Sequence, residues 1–326
     1  MNLLILGGTA FVGRALAEAA LDKGHTITLF NRGLRNTELF PGIEQLHGDR
    51  LDDVSALAER KWDAVIDCSA YVPRAVTNTS QYLADSCSQY LFISTISVFS
   101  EFGTPNQDET APVAQLEDPT VEVVTGDTYG GLKVLCEAKV LEAFGDRATI
   151  IRPGLIVGPN DYTDRFTYWP VSMARGGKVI APAVKDQPVQ FIDVRDLSEW
   201  CIRLLETGVT GTFNATGPKI PYRLEQVLDA CQQGTQSEIL WVDPAKLTEL
   251  GAEAWTDFPF VLDFKGERNG LMQINVDKAV NAGLTYRPLP QTIQDTVAWA
   301  LSRPEGVPLK AGMSVEKHGQ ILASLL

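Results

Sequence analysis

The sequence predicts an α/β protein in which a doubly wound parallel sheet carries a smaller C-terminal subdomain. Through the first half of the chain, short apolar runs alternate with segments of helical periodicity, the rhythm of a parallel sheet covered by helices on both faces. After Pro153 that rhythm stops, and prolines divide the second half into short pieces. With 326 residues the chain is long enough to bury a large core without disulfide or metal cross-links.

Each element of the first half is predicted from its residue pattern. Apolar and β-branched runs that end in turn residues indicate strands, and apolar residues three and four positions apart indicate helices. Gly24 ends the first helix, because glycine is favoured just after a helix C-terminus. The predicted strands are residues 3–6, 26–30, 43–47, 64–67, 90–94 and 149–152, and the predicted helices are residues 11–23, 54–60, 76–86 and 128–143.

The boundary between the two parts is predicted just after residue 153. The first domain covers residues 1–153, and later strands return to it from residues 189–216. Residues 154–326 form mainly the smaller subdomain, which we expect to fold onto the carboxyl ends of the first sheet. The stretch 103–125 is acidic, contains proline and is weakly periodic, so it is predicted to be a surface loop between a strand and a helix.

The composition argues against several classes of protein. Lys and Arg number 28 against 41 Asp and Glu, and the net charge of −13 argues against a broad nucleic-acid or anionic-membrane surface. The five cysteines form no C-x-x-C pair and the three histidines no H-x-x-x-H pattern, so neither a disulfide framework nor a metal site is expected. The chain begins without a basic leader and has no run of about 18 apolar residues, so we expect a soluble cytoplasmic protein.

A turn of small residues joins the first strand to the first helix. Glycines there let the backbone turn tightly, bring N–H groups against a pyrophosphate and allow close helix–strand packing. The strand before the turn and the amphipathic helix after it are the context that dinucleotide binding requires, although an ordinary strand–helix turn gives a similar pattern. We therefore predict a Rossmann-type dinucleotide-binding domain. The predicted cofactor-binding residues of the turn are Gly7, Gly8, Thr9, Phe11, Val12 and Gly13.

The end of the second strand bears on the choice of nicotinamide cofactor. A carboxylate there bonds the ribose 2′-hydroxyl of NAD, whereas an arginine accommodates the 2′-phosphate of NADP. The strand ends in Asn31 and Arg32, with Arg35 close behind, so NADP is favoured and NAD is the alternative. The competing interpretation is that Arg32 is a solvated loop residue without a role in cofactor binding. Asp49, after the third strand, either accepts a hydrogen bond from the adenine amino group or caps a helix.

Tyr129 and Lys133 form the candidate catalytic pair. Residues four apart share one face of a helix, so the ammonium lies beside the phenol. A free phenol has a pKa of about 10, and a neighbouring lysine and an oxidised nicotinamide both favour the phenolate. Upstream, a cluster of hydroxyls ends the fifth predicted strand, where one of them can bond the substrate oxygen. For Ser97 and Ser100 we favour a hydrogen bond to their own backbone instead.

These residues resemble the short-chain dehydrogenase/reductase superfamily, in its extended NAD-dependent epimerase/dehydratase branch. The similarity extends over nearly the whole chain. It includes the glycine turn, the Tyr–Lys pair and the segments 65–70, 94–99, 152–159, 191–197 and 211–214. The segments GGTAFVG, FNRG and IRPGLIVGP most resemble a subgroup of bacterial reductase/epimerase proteins. That subgroup is distantly similar to isoflavone-reductase-like and chloroplast stem-loop RNA-binding proteins.

The resemblance implies a role for individual residues. It makes Thr95 the catalytic hydroxyl, Tyr129 the acid or base, and Lys133 the residue that tunes the phenol and holds the nicotinamide ribose. It also implies a homodimer. The further cofactor contacts that it implies are Ser69, Ala70, Ser94 and Pro153.

Two positions depart from the pattern of the branch. Ala10 replaces the usual middle glycine of the turn, which a pyrophosphate turn tolerates. Gln190 stands where nucleotide-sugar enzymes commonly place an arginine that holds the diphosphate, and this argues against a nucleotide-diphosphate sugar as substrate.

The resulting prediction is an NAD(P)-dependent oxidoreductase or epimerase that acts on a hydroxyl or carbonyl carbon of a small molecule by hydride transfer. A cofactor-binding sensor without turnover is the main alternative, and RNA binding conflicts with the net charge of −13. Two aromatic stretches, residues 162–169 and 255–260, either line the substrate pocket or form a satellite core. Arg165 either anchors an anionic substrate group or forms a surface salt bridge.

Overall fold

The computed structural model describes residues 1–304 and 306–325. The strands are β1 (Asn2–Leu6), β2 (Thr26–Asn31), β3 (Glu44–His47), β4 (Trp62–Asp67), β5 (Cys87–Ile93), β6 (Ala148–Pro153), β7 (Leu155–Val157), β8 (Gly177–Pro182), β9 (Pro188–Val189), β10 (Phe191–Asp193), β11 (Gly211–Ala215), β12 (Tyr222–Arg223) and β13 (Ser237–Val242). The α-helices are α1 (Phe11–Asp22), α2 (Pro73–Leu83), α3 (Tyr129–Phe144), α4 (Tyr168–Ala174), α5 (Val194–Thr207), α6 (Leu224–Gln232), α7 (Pro244–Glu249), α8 (Asp277–Asn281), α9 (Leu289–Leu301) and α10 (Val315–Leu325).

A seven-stranded sheet in the order β11–β6–β5–β4–β1–β2–β3 forms the centre of the molecule. Every pair of neighbouring strands in it is parallel. The strands are apolar because helices cover both faces, with α1 and α5 on one face and α2 and α3 on the other. This confirms the predicted Rossmann-type α/β fold. From β1 the strand order runs outward through β2 to β3, and the chain then crosses back to place β4 on the other side of β1. Ligands of such sheets bind in the crevice between these two halves, at the carboxyl ends of β1 and β4.

The C-terminal part has its own core and only short strands. There β8 pairs with β13 in parallel and β9 with β12 antiparallel, while β7 pairs with β10. Its core is rich in aromatic side chains, among them Phe166, Trp169, Phe258 and Phe260. The indole of Trp169 donates a hydrogen bond to the Pro259 carbonyl at 2.8 Å, which links the two aromatic stretches of the sequence.

Strands β4 and β5 begin two and three residues earlier than predicted, and three further differences have a physical reason or bear on the sheet. The predicted helix 54–60 is a single 3₁₀ turn at Ser55–Leu57, because Ala58 is extended and Glu59 adopts a φ of +58°, and neither conformation continues a right-handed helix. Helix α2 begins at Pro73, three residues earlier than predicted, since proline is well suited to the first turn of a helix. Of the two late strands, β11 pairs with β6 in the central sheet, whereas β10 pairs with β7 outside it.

Residues 103–125, all of which the structure describes, contain no helix or strand, yet they are tied to the rest of the chain. The backbone N–H of Asn106 donates to the backbone carbonyl of Gln273 at 2.6 Å, and the backbone N–H of Asn275 donates to the backbone carbonyl of Gln107 at 3.0 Å. Gln107 is buried as a result. The loop therefore connects the central sheet to the segment that precedes α8.

Within residues 1–304 and 306–325, none of the helices combines the length and the apolar composition that a membrane crossing requires.

Candidate active site

The backbone turns sharply between β1 and α1. Gly7 and Gly8 take φ values of 117° and 95°, a region that favours glycine. A Cβ on Gly13 would lie 2.6 Å from the Gly8 nitrogen, so helix and turn pack too closely for any other residue. The N-cap of α1 is Ala10, whose side chain cannot accept a hydrogen bond, so it leaves the N–H groups of the first turn uncapped. These features fit the pyrophosphate of a dinucleotide.

The ends of β2 and β3 lie next to this turn. The Asn31 side chain accepts a hydrogen bond from the Gly33 amide at 2.7 Å and so shapes the loop that carries Arg32. Arg32 is exposed and forms no ion pair with the described residues. The carboxylate of Asp49 accepts a hydrogen bond from the Leu51 amide at 2.9 Å and so closes a local turn. Asp49 caps no helix, because the next helical turn begins at Ser55 with Val54 as its N-cap. Thr9 is buried in the turn itself.

A buried ion pair that the sequence did not indicate lies beneath the crevice. The guanidinium of Arg50 donates two hydrogen bonds of 2.6 Å to the Asp67 carboxylate at the end of β4. Tyr90 donates to the same carboxylate at 2.7 Å, and Arg50 also donates to the Ser69 hydroxyl at 3.2 Å. Arg50 holds the pKa of Asp67 below its usual value although burial acts in the opposite direction. The network fixes the residues that follow β4, including Ser69.

Lys133 is buried and tied to the ends of two central strands. Its ammonium donates to the Ala70 carbonyl at 2.9 Å and to the Ile93 carbonyl at 2.7 Å, and it lies 4.0 Å from the centre of the Phe92 ring. Burial lowers the pKa of Lys133 to about 8. The lysine therefore connects helix α3 to the carboxyl edge of the sheet.

Tyr129 and Thr95 face the same cavity as Lys133. Burial raises the pKa of Tyr129, while the Thr95 hydroxyl and the Arg165 guanidinium act to lower it. Thr95 follows β5 and its hydroxyl accepts a hydrogen bond from the Ser97 amide at 3.1 Å, which fixes its orientation. The structure thus brings together the three residues predicted to be catalytic. A phenol whose pKa is raised is protonated at neutral pH and can act as a proton donor.

A second buried ion pair supports this edge of the sheet. Glu137, one turn after Lys133 on α3, accepts hydrogen bonds from the Arg152 guanidinium at 3.0 and 2.7 Å. Ser94, predicted to contact the cofactor, is largely buried at the cavity wall and donates its hydroxyl to the Glu137 carboxylate. Arg152 also donates to the Glu109 carbonyl at 3.1 Å, and the Glu109 carboxylate accepts from the Asn214 amide at 2.7 Å. These contacts fix the residue that immediately precedes Thr95.

The cavity has a volume of about 440 Å³ and lies between the sheet edge and the C-terminal part. The two aromatic stretches, residues 162–169 and 255–260, each contribute both to the cavity and to the core. Tyr162 and Trp255 line the cavity, whereas Phe166 and Phe258 belong to the buried core. Other lining residues are Phe11, Val12, Cys68, Tyr71, Ser94 and Pro153.

Sequence reasoning missed the residues whose partners are distant in the chain. Arg50 and Asp67 are 17 positions apart and Glu137 and Arg152 are 15 apart, so no short motif joins them. One signal was present for Glu137, because it follows Lys133 by four positions and therefore shares its helix face.

The pKa of Lys133 predicts how stability depends on pH. In the unfolded chain a lysine has a pKa of about 10.4, so between pH 8 and 10.4 the unfolded state binds more protons and raising the pH stabilises the fold. Relative to Lys133→Met, the free energy of unfolding of the wild type should rise by roughly 3 kcal/mol across that range, as measured by urea titrations. Lys139→Met, at an exposed position of α3, is the control and should parallel the wild type. A pH-independent difference between wild type and Lys133→Met would contradict the prediction.

The fold and this site define a Rossmann-type α/β protein with a dinucleotide turn and a Tyr–Lys cavity at one edge of its sheet. The family model of the NAD dependent epimerase/dehydratase family matches residues 3–215, from β1 to β11. The chain therefore belongs to the NAD dependent epimerase/dehydratase family. This membership confirms the resemblance to the epimerase/dehydratase branch.

Individual relatives are distant. The chain is 28% identical over 237 residues to the chloroplast stem-loop binding protein of 41 kDa b of Arabidopsis thaliana, covering 67% of this chain and 59% of that protein. It is 30% identical over 182 residues to the 2-alkyl-3-oxoalkanoate reductase of Stenotrophomonas maltophilia, covering 49% of this chain and 52% of that protein. The chain spans less than two thirds of the length of either relative.

Solved structures share the fold along nearly the whole chain. The Bordetella bronchiseptica enzyme WbmH in complex with NAD⁺ has a TM-score of 0.65 at 16% identity, covering 94% of this chain and 99% of that chain. At this identity the similarity shows the common fold.

Proposed function

We propose that this protein is an NADP-dependent reductase or epimerase acting on a hydroxyl or carbonyl carbon of a small molecule. The observation that carries the proposal is the convergence of Thr95, Tyr129 and Lys133 on one cavity, next to the glycine turn. Two of the three are held in place, because Thr95 accepts from the Ser97 amide and Lys133 donates to the Ala70 and Ile93 carbonyls.

The chemistry follows from these three side chains. The nicotinamide cofactor, when bound, exchanges a hydride with the substrate carbon. Tyr129 gives its phenolic proton to the carbonyl oxygen during reduction and takes a proton from the alcohol during oxidation. Thr95 orients that oxygen through a hydrogen bond. Lys133 favours the phenolate by its charge and, in the bound state, holds the nicotinamide ribose.

Arg32 supports NADP as the preferred cofactor. It follows β2, where the 2′-position of the adenosine ribose lies in this fold, and it is exposed with no described ionic partner. NADP⁺ should therefore bind more tightly than NAD⁺, and Arg32→Ala should remove most of the difference, about 1.5–3 kcal/mol. Calorimetric titrations of both cofactors test this, with Arg60→Ala as a control, because Arg60 pairs with Glu44 instead. Equal affinities for both cofactors before and after the change would exclude Arg32 from the site.

We propose a small molecule, rather than a nucleic acid, as the partner of this site. One relative is named as a stem-loop binding protein, but nucleic-acid affinity rests largely on the release of counterions by lysine and arginine. The net charge of −13 works against that contribution.

The proposed activity can be tested without knowing the substrate. A panel of carbonyl compounds with NADPH, and of alcohols with NADP⁺, is followed at the nicotinamide absorbance. Turnover of at least one compound class supports the enzyme. If no compound is turned over while NADP⁺ binds tightly, a cofactor-binding sensor is the better description.

A further inference from the structure

The cavity that holds Tyr129 concentrates positive charge. Three cationic side chains line it, from Lys133, Arg165 and Arg268, and no Asp or Glu is found among its described lining residues. This is unexpected in a chain with 41 acidic residues and a net charge of −13. A concave surface of one charge sign raises the local concentration of oppositely charged ligands.

Arg165 is held in place without an ion pair to any described residue. Its Nε donates to the Thr163 hydroxyl at 3.2 Å, and its guanidinium lies 5.7 Å from the centre of the Trp255 ring. Among the described residues it forms no ion pair, so the surface salt bridge considered for it is not formed. One oxygen of the nearby Asp161 carboxylate accepts from the Thr163 hydroxyl and amide, at 2.6 and 2.9 Å. The charge of Arg165 acts to lower the pKa of this buried acid, although burial raises it overall. No hydrogen bond from the terminal nitrogens of Arg165 to a described residue is formed, so these donors can bind an anion.

Both arginines of the cavity share it with the proton-transfer group. Arg165 lines the same cavity as Tyr129, and its charge favours the phenolate, although burial raises the pKa of that phenol overall. Arg268 reaches the same cavity from another loop, stacks 5.3 Å from the centre of the Phe102 ring and has no ionic partner in the described chain. Both guanidinium groups therefore line the cavity that holds Tyr129.

Gln190 and the volume of the cavity both argue against a nucleotide-diphosphate sugar as the substrate. The Gln190 side chain is buried and fully used, accepting from the Ile274 amide at 2.8 Å and donating to the Pro218 carbonyl at 3.0 Å. The cavity of about 440 Å³ must also admit the nicotinamide end of a cofactor, which leaves room for a small molecule.

We infer that the substrate is a small carbonyl or hydroxy compound carrying a carboxylate or phosphate group, which Arg165 binds beside the reacting carbon and Arg268 contacts second. The inference rests on the proposed function, because Tyr129 defines where the reacting carbon lies. Arginine suits this role, since its planar donors match both kinds of anion in a bidentate contact.

Binding of simple anions tests the inference without turnover. The NADP⁺-saturated protein is titrated by calorimetry with malonate, with methyl phosphate and with uncharged malonamide. Malonate or methyl phosphate should bind and malonamide should not, and the stronger anion identifies the carboxylate or the phosphate. Arg165→Gln should weaken the binding of that anion about ten- to hundredfold. Arg165→Lys should recover part of the loss, and Arg175→Gln, at an exposed arginine outside the cavity, should bind like the wild type.

Several results would overturn the inference. These are equal anion affinity in wild type and Arg165→Gln, malonamide binding as tight as malonate, or no binding of either anion. Uridine diphosphate binding more than tenfold tighter than both small anions would overturn the small-substrate assignment. If Arg165→Gln has an altered melting temperature, Arg268→Gln provides the second test, with about a tenfold loss expected. If the protein binds the anion through Arg165 but turns over no compound, the proposed enzymatic function is wrong and the anion-binding site stands.

Discussion

Replacing Tyr129 with phenylalanine should lower turnover roughly 10²- to 10⁴-fold while leaving NADP⁺ binding and thermal stability nearly unchanged. The aromatic ring, whose centre lies 6.4 Å from that of Tyr71, is kept, and only the hydroxyl that transfers the proton is removed. The rate is measured at the nicotinamide absorbance with the best compound of the panel, and cofactor binding by calorimetry.

Two further variants make this test specific. Tyr71→Phe removes a hydroxyl from another tyrosine of the same cavity, so it should keep most of the activity. Lys133→Met should impair both cofactor affinity and rate, because the same ammonium serves the ribose and the phenol. If Tyr129→Phe turned over its substrate like the wild type, the proposed mechanism would be wrong.

Replacing Glu137 with alanine should lower the free energy of unfolding by about 3–5 kcal/mol. The change leaves the Arg152 guanidinium, 8% exposed, buried without a counter-charge, and the Ser94 hydroxyl without its acceptor. Urea titration measures the loss. The expected magnitude is large because a buried charge that loses its only ionic partner keeps its full desolvation cost.

The exposed Glu142 on the same helix offers the matched control. It pairs with Lys139 at the surface, and Glu142→Ala should cost less than about 1 kcal/mol. A double variant, Glu137→Leu with Arg152→Leu, should recover much of the stability, since apolar residues commonly replace a buried ion pair without loss. Equal losses for Glu137→Ala and Glu142→Ala would contradict the account of this pair.

The parts of the fold that local patterns encode could be predicted from the sequence. The apolar run before Gly7 and the helical periodicity after it gave β1 and α1, and the spacing of Tyr129 and Lys133 gave one face of α3. The helix predicted over residues 54–60 failed because periodicity does not report the backbone angle that Glu59 adopts.

The supporting contacts of the site could not be predicted in the same way. Whether Ser94 faces a ligand or Glu137 depends on where α3 packs on the sheet, which is a tertiary property. Whether Arg165 forms an ion pair depends on which acids the fold brings near it, and the nearby Asp161 bonds to Thr163 through one of its oxygens. Both questions concern partners that are not adjacent in the chain, and one sequence alone does not specify them.

The loop 103–125 has a consequence for how the molecule unfolds. It is hydrogen-bonded to the segment before α8 through Asn106 and Gln107, and to strand β11 through Glu109. Opening the C-terminal part would therefore break contacts that reach the edge strand of the central sheet. Neither the central sheet nor the C-terminal part can open without the other losing hydrogen bonds, so the two should melt in a single cooperative transition. Amide hydrogens of the loop should then exchange with solvent at the same rate as those of β11.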